Sequence, residues 1–363
     1  MSNLYKRRHF LKTSAAALSL APLGFPALLN ARPKAKLGVA LVGLGYYSRD
    51  LLAPALQLTE HCELRGIVTG SPEKIPVWQE KYGIKDSNVY NYDTLDEVAN
   101  NDEIDIIYIV LPTALHAKYS IIAANAGKHV WCEKPMEVSA EACQRMIDAC
   151  NKNKVKLGIG YRMQHEPNTQ TIMRYAKEKP YGDMLKLSAE AGYYDGRTTH
   201  WKQNKALGGG AMYDMGVYPL NALRYAAGQE PIAVRSAKHE TTRPKVYHEV
   251  DETTSFELAF PGGIIGRGKT SLGMSMNTLH VDCKDGWYEL SPFQAYSGIK
   301  GRTSDGKKLN QSIPNQQAKQ MDDDALAIIA DTPFLVPGEE GMRDIRIVEA
   351  IYQAAATGKE VKL

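Results

Sequence analysis

The chain reads as an α/β protein in two parts. An N-terminal Rossmann-type, doubly wound parallel sheet is followed by an α+β half with a large open, mainly antiparallel sheet. Three observations predict this. Short apolar runs of strand length, Leu37 to Val42, Ile104 to Leu111, Val130 to Cys132 and Leu157 to Ile159, alternate with helical patterns, as strands buried on both faces do. A glycine turn joins the first run to the first helix, the context a dinucleotide fingerprint requires. From Ala233 to Val281 the pattern changes to alternating strands with turn signals such as Pro261-Gly262-Gly263. A length of 363 residues suits two domains. Their boundaries fall at 36–160 and 161–363, behind a leader at 1–31.

The charge balance belongs to the leader. Of the formal +3, Lys6, Arg7, Arg8 and Lys12 supply four positive charges and residues 1–31 hold no acid, which leaves −1 for the rest. Nothing in that balance selects nucleic acid or an anionic membrane as partner. The five cysteines form no CxxC pair, so neither a metal site nor a disulfide scaffold is expected. Lys6-Arg7-Arg8-His9-Phe10-Leu11-Lys12 resembles a twin-arginine signal. The stretch from Thr13 to Leu29 is interrupted by Pro22, Gly24 and Pro26 and is no membrane anchor. The resemblance implies export in folded form and a periplasmic location, where an enzyme that uses a nucleotide has to keep it bound.

In the first half, Gly43 makes the tight turn and Gly45 lets backbone approach a pyrophosphate at the helix N-terminus. Ser48 stands at the third glycine position. The second strand, Cys62 to Thr69, begins with Glu63, which puts this acid at the wrong end of the sheet for a ribose hydroxyl. The tip, Val68-Thr69-Gly70-Ser71-Pro72-Glu73-Lys74, carries no acid at the turn itself, and Ser71 with Lys74 suits a 2′-phosphate. NADP is therefore expected over NAD. Helices are expected over Glu73 to Tyr82, Thr94 to Ala99 and Ala114 to Ala126. His116 opens the last of these, either as a site residue or as an ordinary cap.

Val130-Trp131-Cys132-Glu133-Lys134-Pro135 runs from a buried strand into a charged pair. That pair sits where an open α/β sheet presents polar groups to a ligand, although a plain loop ion pair reads the same way. In the second half, Gly208-Gly209-Gly210 precedes Asp214 and Tyr218, four residues apart and expected on one helix face. A tyrosine beside an ammonium such as Lys134 becomes a workable general base. Asp214 would hold a substrate hydroxyl or orient the tyrosine; a capping Asp and a packed Tyr are the alternative. Residues 300–316 read as loop, and Asp344 to Thr357 as an amphipathic closing helix.

Pro112-Thr113-x-x-His116 and Ala126-Gly127-Lys128-His129-Val130-x-Cys132-Glu133-Lys134-Pro135 resemble the glucose–fructose oxidoreductase/inositol dehydrogenase/rhizopine-catabolism (Gfo/Idh/MocA) family. Tyr218, in place of the more usual histidine, is similar to the glucose–fructose and periplasmic aldose–aldose oxidoreductase branch. So are Thr69 to Lys74, Trp201 to Leu207 and Gly338 to Asp344. The resemblance covers essentially the whole mature chain. It implies a cis Lys134–Pro135 bond, and catalysis by Lys134, Asp214 and Tyr218. It also implies cofactor contacts from Gly43, Leu44, Gly45, Tyr46, Tyr47, Ser71, Lys74, Tyr92, Leu111, Pro112, Thr113, His116, Glu133, Lys134, Arg162, Trp201, Lys202 and Tyr296. Only Arg32 to Lys36 lie between the leader and the first strand, where glucose–fructose oxidoreductases carry a long proline-rich arm.

The expected activity is oxidation of an aldose at C1 by tightly bound NADP, with the hydride passed to a second sugar or carbonyl compound. A homodimer or homotetramer through the open sheet is expected. Rival readings are a dehydrogenase with exchangeable cofactor, a redox-neutral NAD-dependent glycosidase, and a sugar-binding module without chemistry. The acid-free strand tip makes a direct prediction. NADP should bind more tightly than NAD in an equilibrium titration, and the reverse order would overturn the reading of Ser71 and Lys74.

Overall fold

The computed structural model describes residues 36–363, so the leader read at residues 1–31 lies outside the described residues. Six parallel strands form the first sheet: β1 (Leu37–Val42), β2 (Cys62–Val68), β3 (Val89–Tyr90), β4 (Ile106–Ile109), β5 (His129–Cys132) and β6 (Leu157–Ile159). Their spatial order is β3-β2-β1-β4-β5-β6. The chain winds one way from β1 to β3 and the other way from β4 to β6. The order therefore reverses between β1 and β4, and ligands bind outside the carboxyl ends of the strands at such a point.

Gly43 leaves β1 at φ +90°, and a Cβ there would lie 2.4 Å from the Val110 carbonyl oxygen. No other residue fits that turn. The buried Ser48 hydroxyl donates to the Gly43 carbonyl at 2.5 Å, so the residue at the third glycine position closes the turn instead of merely fitting beside it. A π-helical turn, Tyr47–Leu52, follows and runs into α1 (Ala53–Ala55).

Two of the expected helices differ. The segment at Glu73 is wound as a tight 3₁₀ turn, Pro72–Lys74, before α2 (Ile75–Tyr82) begins. The stretch expected as a helix from Thr94 to Ala99 is a 3₁₀ run, Leu95–Asn100. The Asn91 side chain accepts from the amides of Asp93 and Thr94 at 2.8 and 3.0 Å, and such local bonds compete with regular helix. The third, α3, spans His116–Asn125, and α4 (Ala140–Lys152) follows β5.

After α5 (Pro167–Glu178) comes the nine-stranded sheet. Its strands are β7 (Met184–Tyr194), β8 (Ala233–Glu240), β9 (Thr253–Ala259), β10 (Ile265–Ser271), β11 (Gly273–Cys283), β12 (Gly286–Leu290), β13 (Gly301–Thr303), β14 (Lys308–Leu309) and β15 (Val361–Lys362). The order is β14-β13-β12-β11-β7-β10-β9-β8-β15, antiparallel except where β10 runs alongside β7. The segment expected as loop, 300–316, supplies β13 and β14. Both strands are too short for alternation to register, yet Thr303 and Leu309 turn inward and are buried. Helix α6 (Val217–Ala227) packs against β7 and β10.

The last two helices return to the first sheet. Helix α7 (Gln316–Ile329) adds Ala318, Met321 and Ala325 to the core beside Val39, Leu41 and Trp131. Helix α8 (Gly338–Thr357), longer than the stretch expected from Asp344, lies against α4, α6 and β8. Arg224 of α6 is buried and pairs with Glu340 and Asp344 of α8 at 2.9 and 2.5 Å, which clamps the two helices together.

Asp324 of α7 is buried, and burial pushes its carboxyl up to about 7 against the opposing pull of His165. An unfolded aspartate titrates near about 3.9. The folded state therefore loses stability as pH rises from about 4 through about 7, by about 1.4 kcal/mol for each pH unit in that window. Asp324→Asn removes this loss. Its gain in Tm over the parent protein should be larger at pH 8 than at pH 5, and equal gains would show that another group is responsible.

Candidate active site

Lys134 leaves β5 into a cis peptide bond with Pro135. Its ammonium donates to the Asp214 carbonyl at 2.8 Å and lies 4.4 Å from the centre of the Tyr218 ring. That carbonyl belongs to a wide turn of the chain. Residues Met212–Gly216 form a π-helical turn, in which the Val217 amide reaches back five residues to Met212. A bond of the same span to Asp214 would have to come from residue 219. Pro219 has no N–H to give, so no bond of that span competes with Lys134 for the carbonyl.

Tyr218 is almost wholly buried, and Arg162 Nη1 donates to its hydroxyl at 2.8 Å. Burial alone pushes the phenol up. The Arg162 guanidinium and the Lys134 ammonium outweigh it and hold Tyr218 below its ordinary value near 10. The expectation that Lys134 is the cation beside the tyrosine needs an addition: Arg162, placed by the end of β6, makes the direct bond. Arg162 also stacks 4.8 Å from the centre of the Tyr296 ring, and Tyr47 lies 6.0 Å from that same ring.

Sequence reasoning expects Asp214 to hold a substrate hydroxyl or orient the tyrosine, and in the structure its carboxylate is paired. The carboxylate meets Lys202 at 2.7 Å and accepts from the Tyr193 hydroxyl at 3.0 Å. Burial alone would raise this carboxyl; Lys202 and Lys134 hold it below the usual range. Lys202, expected at the cofactor, is here the counterion of Asp214. Tyr193, at the end of β7, was not singled out by sequence reasoning, and only its place beside the polar loop from Tyr194 to Lys202 marks it.

Glu133 faces inward and accepts from the Tyr108 hydroxyl at 2.6 Å. A Cβ at Gly160 would lie 2.7 Å from its Oε1, so the glycine makes room for the carboxylate. The buried His116 ring bridges the Pro135 and Leu111 carbonyls at 2.9 and 2.8 Å. It fastens the Lys134 loop to the end of β4, a structural part rather than a cap.

The glycine turn offers a cradle for a dinucleotide. Gly45 is exposed and a Cβ there would meet nothing within 4 Å. Lys74 reaches back to the Leu44 carbonyl at 3.2 Å, which sets a cation and Ser71 at the tip of β2. Tyr92 packs on Gly70 of that tip and stacks with Tyr119 at 5.2 Å. Glu63 is paired with Arg65 at the start of β2. Thr113, after Pro112, is buried against the Gly208 turn. Tyr46 is 60% exposed, and Trp201 is half-buried beside Lys202. A parallel sheet with a glycine turn open at Gly45 and a basic tip fits NADP.

The oxidoreductase family with an NAD-binding Rossmann fold matches residues 37–161, and the GFO/IDH/MocA C-terminal domain matches residues 169–289. The chain belongs to the GFO/IDH/MocA family. It is 36% identical to the structure of an aldose–aldose oxidoreductase from Caulobacter crescentus complexed with glycerol, with a TM-score of 0.87 over 90% of this chain and 100% of that one. A D-xylose 1-dehydrogenase [NADP(+)] from Haloarcula marismortui is 27% identical over 342 residues, 89% of this chain and 92% of that protein. A 3-ketoreductase from Actinomadura kijaniata, in complex with TDP-benzene and NADP, shares the fold at 19% identity, with a TM-score of 0.75 over 88% and 98% of the two chains.

The Arg162–Tyr218 bond makes a pH prediction. A neighbouring opposite charge lowers an acid's pKa by about 1–3. In Arg162→Met the phenolate loses that support, so the acid limb of kcat/KM should move to higher pH by about 1–3 pH units. An unmoved limb would show that Arg162 does not tune the tyrosine.

Proposed function

We propose that this sugar oxidoreductase works in the periplasm with NADP held throughout the cycle. It oxidises an aldose at C1 to the aldonolactone and reduces a second sugar or carbonyl compound in a ping-pong sequence. The observation that carries the reading is the buried Tyr218 phenol, bonded to Arg162 and lying beneath Lys134, at the carboxyl ends of the parallel strands. NADP, when bound, supplies the hydride chemistry.

The chain's own groups handle the proton and the placement. Tyr218, held toward its phenolate by two cations, takes the proton of the anomeric hydroxyl. Arg162 does not itself exchange a proton at physiological pH; it keeps the phenolate charge compensated in a buried place. Lys134 has three donors, one of them on the Asp214 carbonyl, which leaves others for a substrate hydroxyl. Tyr193 and Lys202 keep the Asp214 turn in position. In the second half-reaction the protonated Tyr218 returns the proton to the acceptor's oxygen.

Two lines support NADP: Ser71 and Lys74 at an acid-free tip, and the names of the xylose dehydrogenase relatives. The leader, with its resemblance to a twin-arginine signal, supports export with the cofactor in place. The likeness to an aldose–aldose oxidoreductase supports a sugar as both donor and acceptor. A homodimer or homotetramer through the open face of the nine-stranded sheet completes the proposal. A second reading, a dehydrogenase with exchangeable NADP, is favoured by the D-xylose 1-dehydrogenases.

Dialysis followed by a mass spectrum separates the two: retained NADP supports the first reading and its loss the second. Incubation with glucose and a panel of aldoses, without added nucleotide, should yield lactone and a reduced co-product. Their absence across the panel would end the proposal. Lys134→Met should abolish turnover while leaving the circular dichroism spectrum intact, and surviving activity would refute the assigned role.

A further inference from the structure

Beside the catalytic turn the chain forms a cleft of about 680 Å³. That volume lies within the range of small-molecule sites. Three rings stand in a row along its wall. His239 lies 5.2 Å from Tyr352, and Tyr352 lies 5.7 Å from Tyr213, with the successive ring planes tilted 42° and 32°. All three are partly exposed. The rim is polar, with Lys205, Thr241 and Glu249 all exposed.

We infer that this cleft is a second carbohydrate-binding site, separate from the catalytic one. An aromatic face is negative, and the C–H groups on a pyranose face are slightly positive, so a row of rings suits the flat side of a sugar. The hydroxyls around the sugar's edge need donors and acceptors, which the rim supplies. Lys205 and Glu249 have opposite charges, and the Glu249 carboxylate accepts from the Lys205 amide at 3.2 Å. Such a rim selects a neutral polyhydroxylated ligand over a strong anion or cation.

The cleft also touches both sides of the catalytic apparatus. The Tyr213 hydroxyl donates to the Val138 carbonyl at 2.7 Å, four residues beyond Lys134. Asp251 accepts from the Tyr352 hydroxyl at 2.7 Å and from the Met212 amide, the first of the π-helical turn, at 3.0 Å. A sugar resting on Tyr213 and Tyr352 therefore bears on the residues that place Asp214 and Lys134. Binding here is independent of turnover, since the cleft can hold a sugar in a protein that oxidises nothing.

The test uses the full protein with its nucleotide and methyl β-D-glucopyranoside, which has no free anomeric hydroxyl to oxidise. Soaked crystals should show the glycoside against Tyr352, and titration calorimetry should count one more equivalent per chain than in Thr241→Trp, which plugs the exposed rim. His239→Ala, which removes one ring of the row, should weaken the same equivalent at least several-fold, while Lys134→Met keeps it. Three results would overturn the inference: equal stoichiometry in the parent and Thr241→Trp, density confined to the catalytic pocket, or a cleft filled by the chain's own residues 1–35.

Discussion

A phenol almost out of reach of water, held between a guanidinium and an ammonium, is the constraint on which this structure rests. An isolated phenolate in such a place is strongly disfavoured, because burial penalises its charge. The two cations are equally out of place without an anion or a set of acceptors. Each therefore depends on the others, and they come from three different elements. Lys134 follows β5, Arg162 follows β6, and Tyr218 lies in the first turn of α6. The fold has to bring strand ends of one sheet to a helix that lies on the other.

Several smaller features serve that meeting. His116 ties the Lys134 loop to the end of β4, and Gly160 leaves room for Glu133, whose carboxyl burial pushes up and Tyr108 pulls down. Arg224, Glu340 and Asp344 clamp α6 to α8. Pro219 has the most economical part. It has no N–H to offer the Asp214 carbonyl across five residues, and that carbonyl holds the ammonium beside the tyrosine ring. A backbone defect thus becomes a binding group.

Much of this could be read before the fold was known. The glycine turn, the strand ending in Glu133-Lys134-Pro135, and Tyr218 all carry local signals, because glycine, proline and a charged pair after an apolar run each restrict what the backbone can do. The Arg162–Tyr218 bond could not be read, since it joins residues 56 apart in the chain through two sheets. The partners of the Asp214 carboxylate, Lys202 and the Tyr193 hydroxyl, could not be read either, because only the fold brings them to that turn. The strands β13 and β14 escaped for lack of length, and the 3₁₀ run at Leu95–Asn100 because Asn91 side-chain bonds outbid helix propensity.

The return of α7 and α8 to the first sheet has a consequence for how the molecule is made. Residues that begin at Gln316 cover apolar strand faces that begin at Leu37. A nascent chain thus emerges from the ribosome with part of one face of its first sheet uncovered until α7 has been synthesised. Such uncovered strands are the aggregation-prone species of multi-part chains. Synthesis of α7 and α8, and not of the nucleotide-binding half alone, is the moment at which this core gains its full cover.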